Sequence, residues 1–442
     1  MKIMHYFLGF PPYRTGGLTK YAFDLARAQV CNGYEVLALW PGEIKNYSSQ
    51  PYIKEDKPVA GIRSLELVNP LPVPLDEGIS EFEAFTRPCE ISIYINFLER
   101  EKIDVIHIHT LMGMHRELLE ATKQLKIRTV MTSHDYFGLC PKVTFYRYGE
   151  CCDDDNECKK CVQCNLASLS LKKIQLTQSP LYRSVKDVSI VKKLRKIHRR
   201  KFFGISNLPD IPSVDVEAVA SRYVALREYY VNMYELIDFI HFNSTVSESI
   251  FKKYVKANAS RVISICHSEI KKEKREITCG ESNKIRLLWL SPTKEYKGFH
   301  ILIKALDELW DEGYTNFVLN VYDDVKEMKS YMVFKGKGYK HSDLPNIFAD
   351  TDILLAISSC YETFGFTVLE ALYNNVQVIV SDHVGAKDIV GQCGYIIPAE
   401  NVIELKNTLL NFSKEKIQYN GKYWEDFLLE IYEIYQEEDY EK

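Results

Sequence analysis

The sequence predicts an α/β protein of two domains, each a parallel sheet flanked by helices. Three observations lead there. A chain of 442 residues exceeds what one core usually organises, since domains run about 100–200 residues. Short apolar runs alternate with stretches of helical periodicity from the first residues onward, the pattern of strands joined by crossover helices. A charged segment without apolar period, Lys271–Lys284, divides that alternation into two series and reads as a linker.

Composition removes several classes of protein. Charge is balanced, 56 Lys+Arg against 60 Asp+Glu for a net of −4, which provides no general attraction to nucleic acid or anionic lipid, so any anion site must be local. At 46% hydrophobic and 26% charged the chain is neither disordered nor fibrous. No apolar run reaches the 18 or so residues of a membrane span, and Ile3–Phe10, ending at Pro11–Pro12, reads as a first buried strand and not a signal peptide. Twelve cysteines are present, six of them (Cys140, Cys151, Cys152, Cys158, Cys161, Cys164) within 25 residues. A secreted disulfide scaffold is short and cysteine-dense throughout, so a reducing, cytoplasmic compartment is expected.

The first unit opens with a strand at Met1–Phe10, a loop at Pro11–Gly17, a helix at Leu18–Asn32 and a strand at Tyr34–Trp40. Gly33 ends the helix, where a left-handed residue favours glycine. Further strands are expected at Val105–His109, Thr129–Ser133, Phe239–Phe242 and Val262–Ile265, with helical, polar and basic sequence between about 165 and 235. His107 and His109 close a buried strand, one expected in the core and the other near a cleft. In the second series, strands are expected at Arg286–Leu290, Asn316–Tyr322, Ile353–Ala356, Val376–Val380 and Tyr395–Ile397, with helices at His300–Glu312, Phe366–Tyr373 and Val402–Phe412. The closing Tyr423–Tyr435 carries Trp424, Phe427, Leu428, Ile431 and Ile434 at helical spacing, a stripe that must be buried. The expected domains are therefore 1–275, swollen by an insertion at about 140–235, and 284–419, with a C-terminal helix in 420–442 packing back on the first.

The stretch Ser358–Leu372 is the richest in chemistry. It places Glu362 four residues before a helix start and Glu370 just over one turn inside that helix. Backbone N–H groups near Gly365 and Phe366 would point out of the helix N-terminus and suit a phosphate, while the carboxylates could accept hydrogen bonds from sugar hydroxyls. On spacing alone, a dipole-complementing acid and a solvated helical glutamate explain the pair more simply. Two loops alter that weighing: Ser291–Gly298, with Lys294 and Lys297, follows the first strand of the second series, and Gly16–Gly17 follows the first strand of the chain. Ligands of doubly wound sheets bind at the carboxyl ends of strands, so all three loops can converge on one cleft. Glycines admit close backbone approach to a diphosphate, and a lysine neutralises it.

Together these residues resemble a known family. Gly16–Gly17 with Tyr21–Ala22, Asp104–His109, Ser133–His134–Asp135, Lys297–Gly298, and the Glu362–Glu370 block followed by Val378–Asp382 are similar to the retaining glycosyltransferases of family 4, the group 1 glycosyltransferases. The resemblance implies the GT-B architecture, two Rossmann-like domains facing a cleft. It also implies transfer of a sugar from a UDP- or GDP-sugar to a glycan, lipid-linked or protein acceptor, without a metal. Carried over by position, Gly16 and Gly17 would approach the donor phosphates and Lys297 would hold the diphosphate. Glu370 would bind the ribose, and Glu362 with the amides of Gly365 and Phe366 would bind the donor sugar. His134 would contact that sugar from the first domain. Two departures stand out. Pro292 occupies the place of the family's arginine, leaving Lys294 as the nearest cation, and Cys266–His267–Ser268–Glu269 stands where an Asn-Gly pair is common. These departures leave a second reading open, a catalytically weak or inactive sugar-nucleotide or glycan-binding protein on the same fold.

The cysteine spacings could wrap a tetrahedral Zn²⁺. A comparable insertion in some family members would select Cys140, Cys152, Cys161 and Cys164 as structural ligands, with Cys151 and Cys158 as alternates; a reduced cysteine-rich loop is the simpler account. Lys192–Lys201 holds seven cations and no acid. It reads either as the solvated face of an ordinary helix or, over 190–203, as peripheral contact with the inner face of a membrane that carries a lipid-linked acceptor.

Overall fold

The computed structural model describes residues 1–45, 49–154, 156–185, 188–189, 191, 215–272 and 283–437. The basic run Lys192–Lys201 and most of the expected linker lie outside the described residues.

Two sheets carry the chain. The first contains β1 (Lys2–Tyr6), β2 (Glu35–Pro41), β3 (Tyr52–Val59), β4 (Ile62–Val68), β5 (Val105–Ile108), β6 (Arg128–Thr132), β9 (Phe239–Phe242) and β10 (Ser260–Val262), in the order β10-β9-β6-β5-β1-β2-β4-β3. A two-stranded hairpin, β7 (Tyr146–Arg147) and β8 (Glu150–Cys151), stands apart. The second sheet is wholly parallel: β11 (Ile285–Trp289), β12 (Phe317–Val321), β13 (Met332–Phe334), β14 (Ile353–Ala356), β15 (Gln377–Ser381) and β16 (Gly394–Ile397), ordered β13-β12-β11-β14-β15-β16. This is the α/β architecture with two Rossmann-like sheets that the alternating pattern predicts. The near-continuous apolar strands follow from helices covering both faces.

The structure departs from the expected elements at several places, and β4, β13 and the hairpin β7–β8 are strands the sequence pattern did not mark. β3 pairs antiparallel with β4 at the sheet edge; its sequence Tyr-Ile-Lys-Glu-Asp-Lys-Pro-Val is largely exposed, so no apolar period marks it. The strand expected at Val262–Ile265 lies earlier, at Ser260–Val262. His107 and His109 both lie fully buried, with ring centroids 4.4 Å apart, because residues two apart on a strand share one face.

Those two rings belong to a buried chain of hydrogen bonds whose direction the chemistry fixes. His241 Nε2 is 2.7 Å from the Ile263 carbonyl, which can only accept, so His241 Nδ1 accepts from the Thr132 hydroxyl at 3.0 Å. The Thr132 oxygen then accepts from His107 Nε2 at 2.8 Å, and His107 Nδ1 accepts the Tyr435 hydroxyl proton at 2.6 Å. Gln29 Nε2 donates to Tyr435 at 3.1 Å and its Oε1 accepts from His5 Nε2 at 2.6 Å. His5 Nδ1 accepts from His109 Nε2 at 2.9 Å. Every ring in this assignment is neutral. Strand register lines them up, His5 beside His107 and Thr132 beside His241.

Tyr435 sits on the helix Trp424–Gln436, whose Trp424, Phe427, Leu428, Ile431 and Ile434 are buried. The helix lies against the first sheet, with Arg128 donating to the Ile434 carbonyl at 3.2 Å and Asn32 to the Tyr432 hydroxyl at 2.9 Å.

Burial pushes His5 and His241 down to about 4, and His107 and His109 well below the ordinary histidine range. Their unfolded forms take up protons below about 6.5 while the folded ones stay neutral, so stability is full above that pH and declines on acidification towards the folded values. Each such histidine removes about 1.4 kcal/mol per pH unit in that window. The midpoint of chemical unfolding is therefore expected to fall steeply between pH 7 and pH 5; a midpoint that holds or rises over this range contradicts the neutral chain.

Candidate functional site

The site begins where a glycine lets two backbones touch. The 3-10 turn Glu295–Lys297 follows β11 and ends at Gly298, whose φ is +81 and whose added Cβ would stand 2.0 Å from the Ile357 carbonyl oxygen. Only a residue without a side chain seats the turn on the end of β14. Tyr296 O accepts from the Ser359 and Cys360 amides at 3.1 and 3.0 Å, joining turn and loop. Lys297 Nζ then lies 3.0 Å from Glu362. Burial alone would lower the lysine's pKa, but the carboxylate beside it holds it above its ordinary value. Lys294 closes the turn, its carbonyl accepting from the Lys297 amide at 3.1 Å.

Glu362 is fixed through its backbone as well. Its N–H donates to His383 O at 2.9 Å, its C=O accepts from the Gly385 amide at 3.0 Å, and the Ser358 hydroxyl donates to its carboxylate. Gly365, at φ +116, starts the helix Phe366–Tyr373 with no side chain capping it and no acid in its first turn. Its first amides are thus free of side-chain partners and carry the positive end of the helix dipole.

The first sheet presents a matching helix start. Gly16 has φ +120 and Gly17 begins the helix Gly17–Cys31; a Cβ on Gly17 would lie 3.3 Å from the Phe366 ring. Thr363 Oγ1 donates to His134 O at 3.1 Å and Ser244 Oγ to Thr363 O at 2.7 Å. The His134 ring packs on Tyr21 with centroids 4.6 Å apart, Nε2 is 3.4 Å from His109 Nδ1, and burial brings it down to about 3. Gly16, Gly17, His134, Lys294, Lys297, Glu362, Gly365 and Phe366 thus gather along one junction, where two uncapped helix starts meet beside a lysine. Such a junction can hold a diphosphate, with Glu362 left to accept from hydroxyls.

Glu370 is differently placed from what its spacing suggests. Its carboxylate is buried, 2.7 Å from His341 Nε2 and 3.2 Å from His267 Nε2. His341 Nδ1 in turn lies 2.6 Å from Glu269, which Lys20 meets at 3.1 Å. The sequence offered one clue, the unusual His267–Ser268–Glu269; His341 stands in a polar loop with none.

The cysteines of the insertion lie partly together: Cys140 is close enough to Cys161 and Cys164 to raise both thiols. Cys161 lies beside Cys158, whose hydrogen bond is the chief reason its thiol is held up. Cys151 leaves the group altogether, its thiol donating to Ser359 O at 2.9 Å and standing 3.6 Å from His383 Nδ1. Among the described residues, no three of the six sulfurs lie within 4.8 Å of one another.

Two family models match the chain: Glycosyl transferases group 1 over residues 270–423 and Glycosyltransferase Family 4 over residues 15–150, together about two thirds of it. The chain belongs to the group 1, family 4 glycosyltransferases. Among curated proteins it is 28% identical over 193 residues to protein CapJ of Staphylococcus aureus, covering 40% of this chain. The match spans about half, 48%, of that relative's length. Similar solved structures include sucrose-phosphate synthase from Thermosynechococcus elongatus (TM-score 0.54, 14% identity, 98% of both chains). A glycosyltransferase from Rickettsia africae ESF-5 aligns at TM-score 0.55 with 13% identity, covering 98% of this chain and 97% of that one. The apo lipopolysaccharide outer core galactosyltransferase WaaB aligns at 0.55 with 10% identity, covering 98% and 99%. At these identities the likeness is one of fold, the GT-B fold. Among the described residues, no helix is long and apolar enough to cross a membrane.

Replacing Gly298 by Ala sets a Cβ against the Ile357 carbonyl at a positive φ, and a loss on the order of 2 kcal/mol is expected. Thermal unfolding of the variant checks it: an unchanged melting temperature would show that the turn can seat without this contact.

Proposed function

We propose that the protein is a retaining glycosyltransferase, moving a sugar from a nucleotide diphosphate sugar to a glycan, lipid-linked or protein acceptor. What supports this reading most is the Lys297–Glu362 pair at 3.0 Å, set between the helix starts at Gly17 and Phe366. In the proposed reaction the diphosphate lies against Lys297, with Lys294 nearby, and the amides of Gly365, Phe366 and Gly17. Lysine and helix ends supply the countercharge that a metal would otherwise provide. Glu362 accepts from donor-sugar hydroxyls, and Glu370 would take the ribose once its histidine partners yield.

The bond from the anomeric carbon to the leaving phosphate oxygen breaks. The acceptor oxygen bonds to that carbon on the same face, and its proton passes to the departing phosphate. His134, held neutral by burial, can contact the sugar without adding charge. Donor closure from both sides excludes water.

A second reading is favoured by two observations. Pro292 stands in the place of the family's arginine, and the Glu370 carboxylate is already engaged by His341 and His267. On that reading the chain binds a sugar nucleotide without turning it over.

A thermal-shift screen of UDP- and GDP-sugars, followed by product analysis with acceptor, separates the two. A stabilising donor with turnover is expected, and Glu362→Ala or Lys297→Ala should lower kcat by about 10²–10³ through loss of one preorganised contact. Stabilisation without product selects the binding reading, and no shift with any donor refutes both.

A further inference from the structure

We propose that His267, His341 and Glu370 form a binding site for one divalent transition ion of the Zn²⁺ class, built across the junction of the two domains. Their ligand atoms, both Nε2 atoms and one carboxylate oxygen, lie within 4.8 Å of one another. His267 comes from the segment after β10 of the first sheet. His341 lies in the short 3-10 turn His341–Asp343 and Glu370 on the helix Phe366–Tyr373, both belonging to the second. The donor set, two imidazoles and a carboxylate, is one that suits zinc and leaves a fourth position open.

The geometry at His267 carries the inference. The residue is 1% exposed, and its Nε2 meets Glu370 Oε1 at 3.2 Å as an ion-pair contact whose alignment falls short of a good hydrogen bond. A buried ring nitrogen without a well-aligned hydrogen bond is costly and uncommon. Two ligands on one tetrahedral zinc, with bonds of about 2.0–2.1 Å, stand about 3.3 Å apart and aim at the ion, not at each other. His267 Nε2 and Glu370 Oε1 have that separation. The His341 Nε2 contact, at 2.7 Å, needs to open by about half an ångström to match.

The surroundings also suit an ion. His341 Nδ1 is 2.6 Å from Glu269, the carboxylate support that orients ligating histidines and strengthens them as donors. Glu269 and Glu370 bring two negative charges, offset by Lys20 at 3.1 Å from Glu269 and by His341, which the two carboxylates hold above the ordinary histidine range; a dication would take the place of the His341 proton. The Glu269 amide, 3.4 Å from His267 Nδ1, is a long contact that ligation would release. A cavity of about 820 Å³, lined by Asp24, Ser268, Glu269 and Tyr373 among others, reaches Glu269, the support of His341. The other histidine group, His5, His107 and His109, is different: its nitrogens are consumed by one another and by Gln29, Tyr435 and Thr132.

Since Glu370 is also the ribose ligand of the proposed donor site, an ion and a donor could not both use it. The metal test does not depend on that reading.

Full-length protein stripped with chelator is titrated with Co²⁺ as a spectroscopic probe. One equivalent is expected to bind with visible bands of a nitrogen and oxygen shell, without the thiolate charge-transfer band that the cysteines would add, and Zn²⁺ should displace it. His267→Ala and His341→Ala should each weaken binding at least about tenfold, and Glu269→Gln by about 10–100-fold. Absence of binding, or affinity untouched by these substitutions, overturns the proposal. X-ray absorption of the zinc-loaded wild-type protein needs no variant: imidazole and oxygen ligands support the site, and a shell of sulfur alone overturns it.

Discussion

The junction depends on backbone approaching without side chains between. Gly17 meets the Phe366 ring at a distance that a Cβ would tighten to 3.3 Å, and Gly298 meets the Ile357 carbonyl where a Cβ would stand at 2.0 Å. The first contact lets two helix N-termini confront each other, and the second presses Lys297 onto Glu362. Two positive helix ends facing each other are unfavourable unless an anion lies between them or nearby. Here the Glu362 carboxylate is the anion at hand, and Lys297 is the cation that a larger anion would inherit. The site is thus charged in a way that a doubly negative ligand can complete.

A second constraint ties the far end of the chain to its beginning. The helix Trp424–Gln436 follows the second domain yet gives Tyr435 to a chain of histidines and Thr132 spread over β1, β5, β6 and β9. A hydroxyl that accepts from Gln29 and donates to His107 fits only if Gln29 keeps its amide orientation and His107 its tautomer. The chain is directional from the His109 end to the Ile263 carbonyl, and at its His109 end it stands 3.4 Å from the His134 ring. A packing arrangement of neutral rings in the core thus borders a site residue at the cleft.

Much of the fold was legible in the sequence because buried parallel strands are short, apolar and bounded. Phe239–Phe242, Ile353–Ala356 and the helix Phe366–Tyr373 occur where the pattern puts them. The edge strand Tyr52–Val59 was not legible, since an exposed, charged edge carries no apolar period and its charges serve to discourage pairing with other chains. Of the site, the glycines, lysine and carboxylates could be proposed from strand-end loops. His341 could not, because it reaches Glu370 only through the fold. Cysteine spacing likewise fixes how far apart sulfurs can be along the chain, not where they point: Cys151, one of the alternates, points to the Ser359 carbonyl across the junction.

Net charge gains meaning at this scale. A chain near neutrality offers no long-range field, so the affinity of any anion or cation must come from groups already gathered and partly desolvated. Two such gatherings lie on either side of the helix Phe366–Tyr373. At its start, Lys297 and free amides face a single carboxylate and favour an anion. Just over one turn along it, Glu370 and Glu269 face histidines and Lys20 and favour a cation. Opposite polarities so close together on one short helix mean that whatever occupies one end alters the field at the other. A diphosphate at Gly365 would strengthen the hold of a positive charge at Glu370, while a ribose reaching Glu370 would have to displace it. The same carboxylate is therefore the point at which occupancy of the two ends is decided.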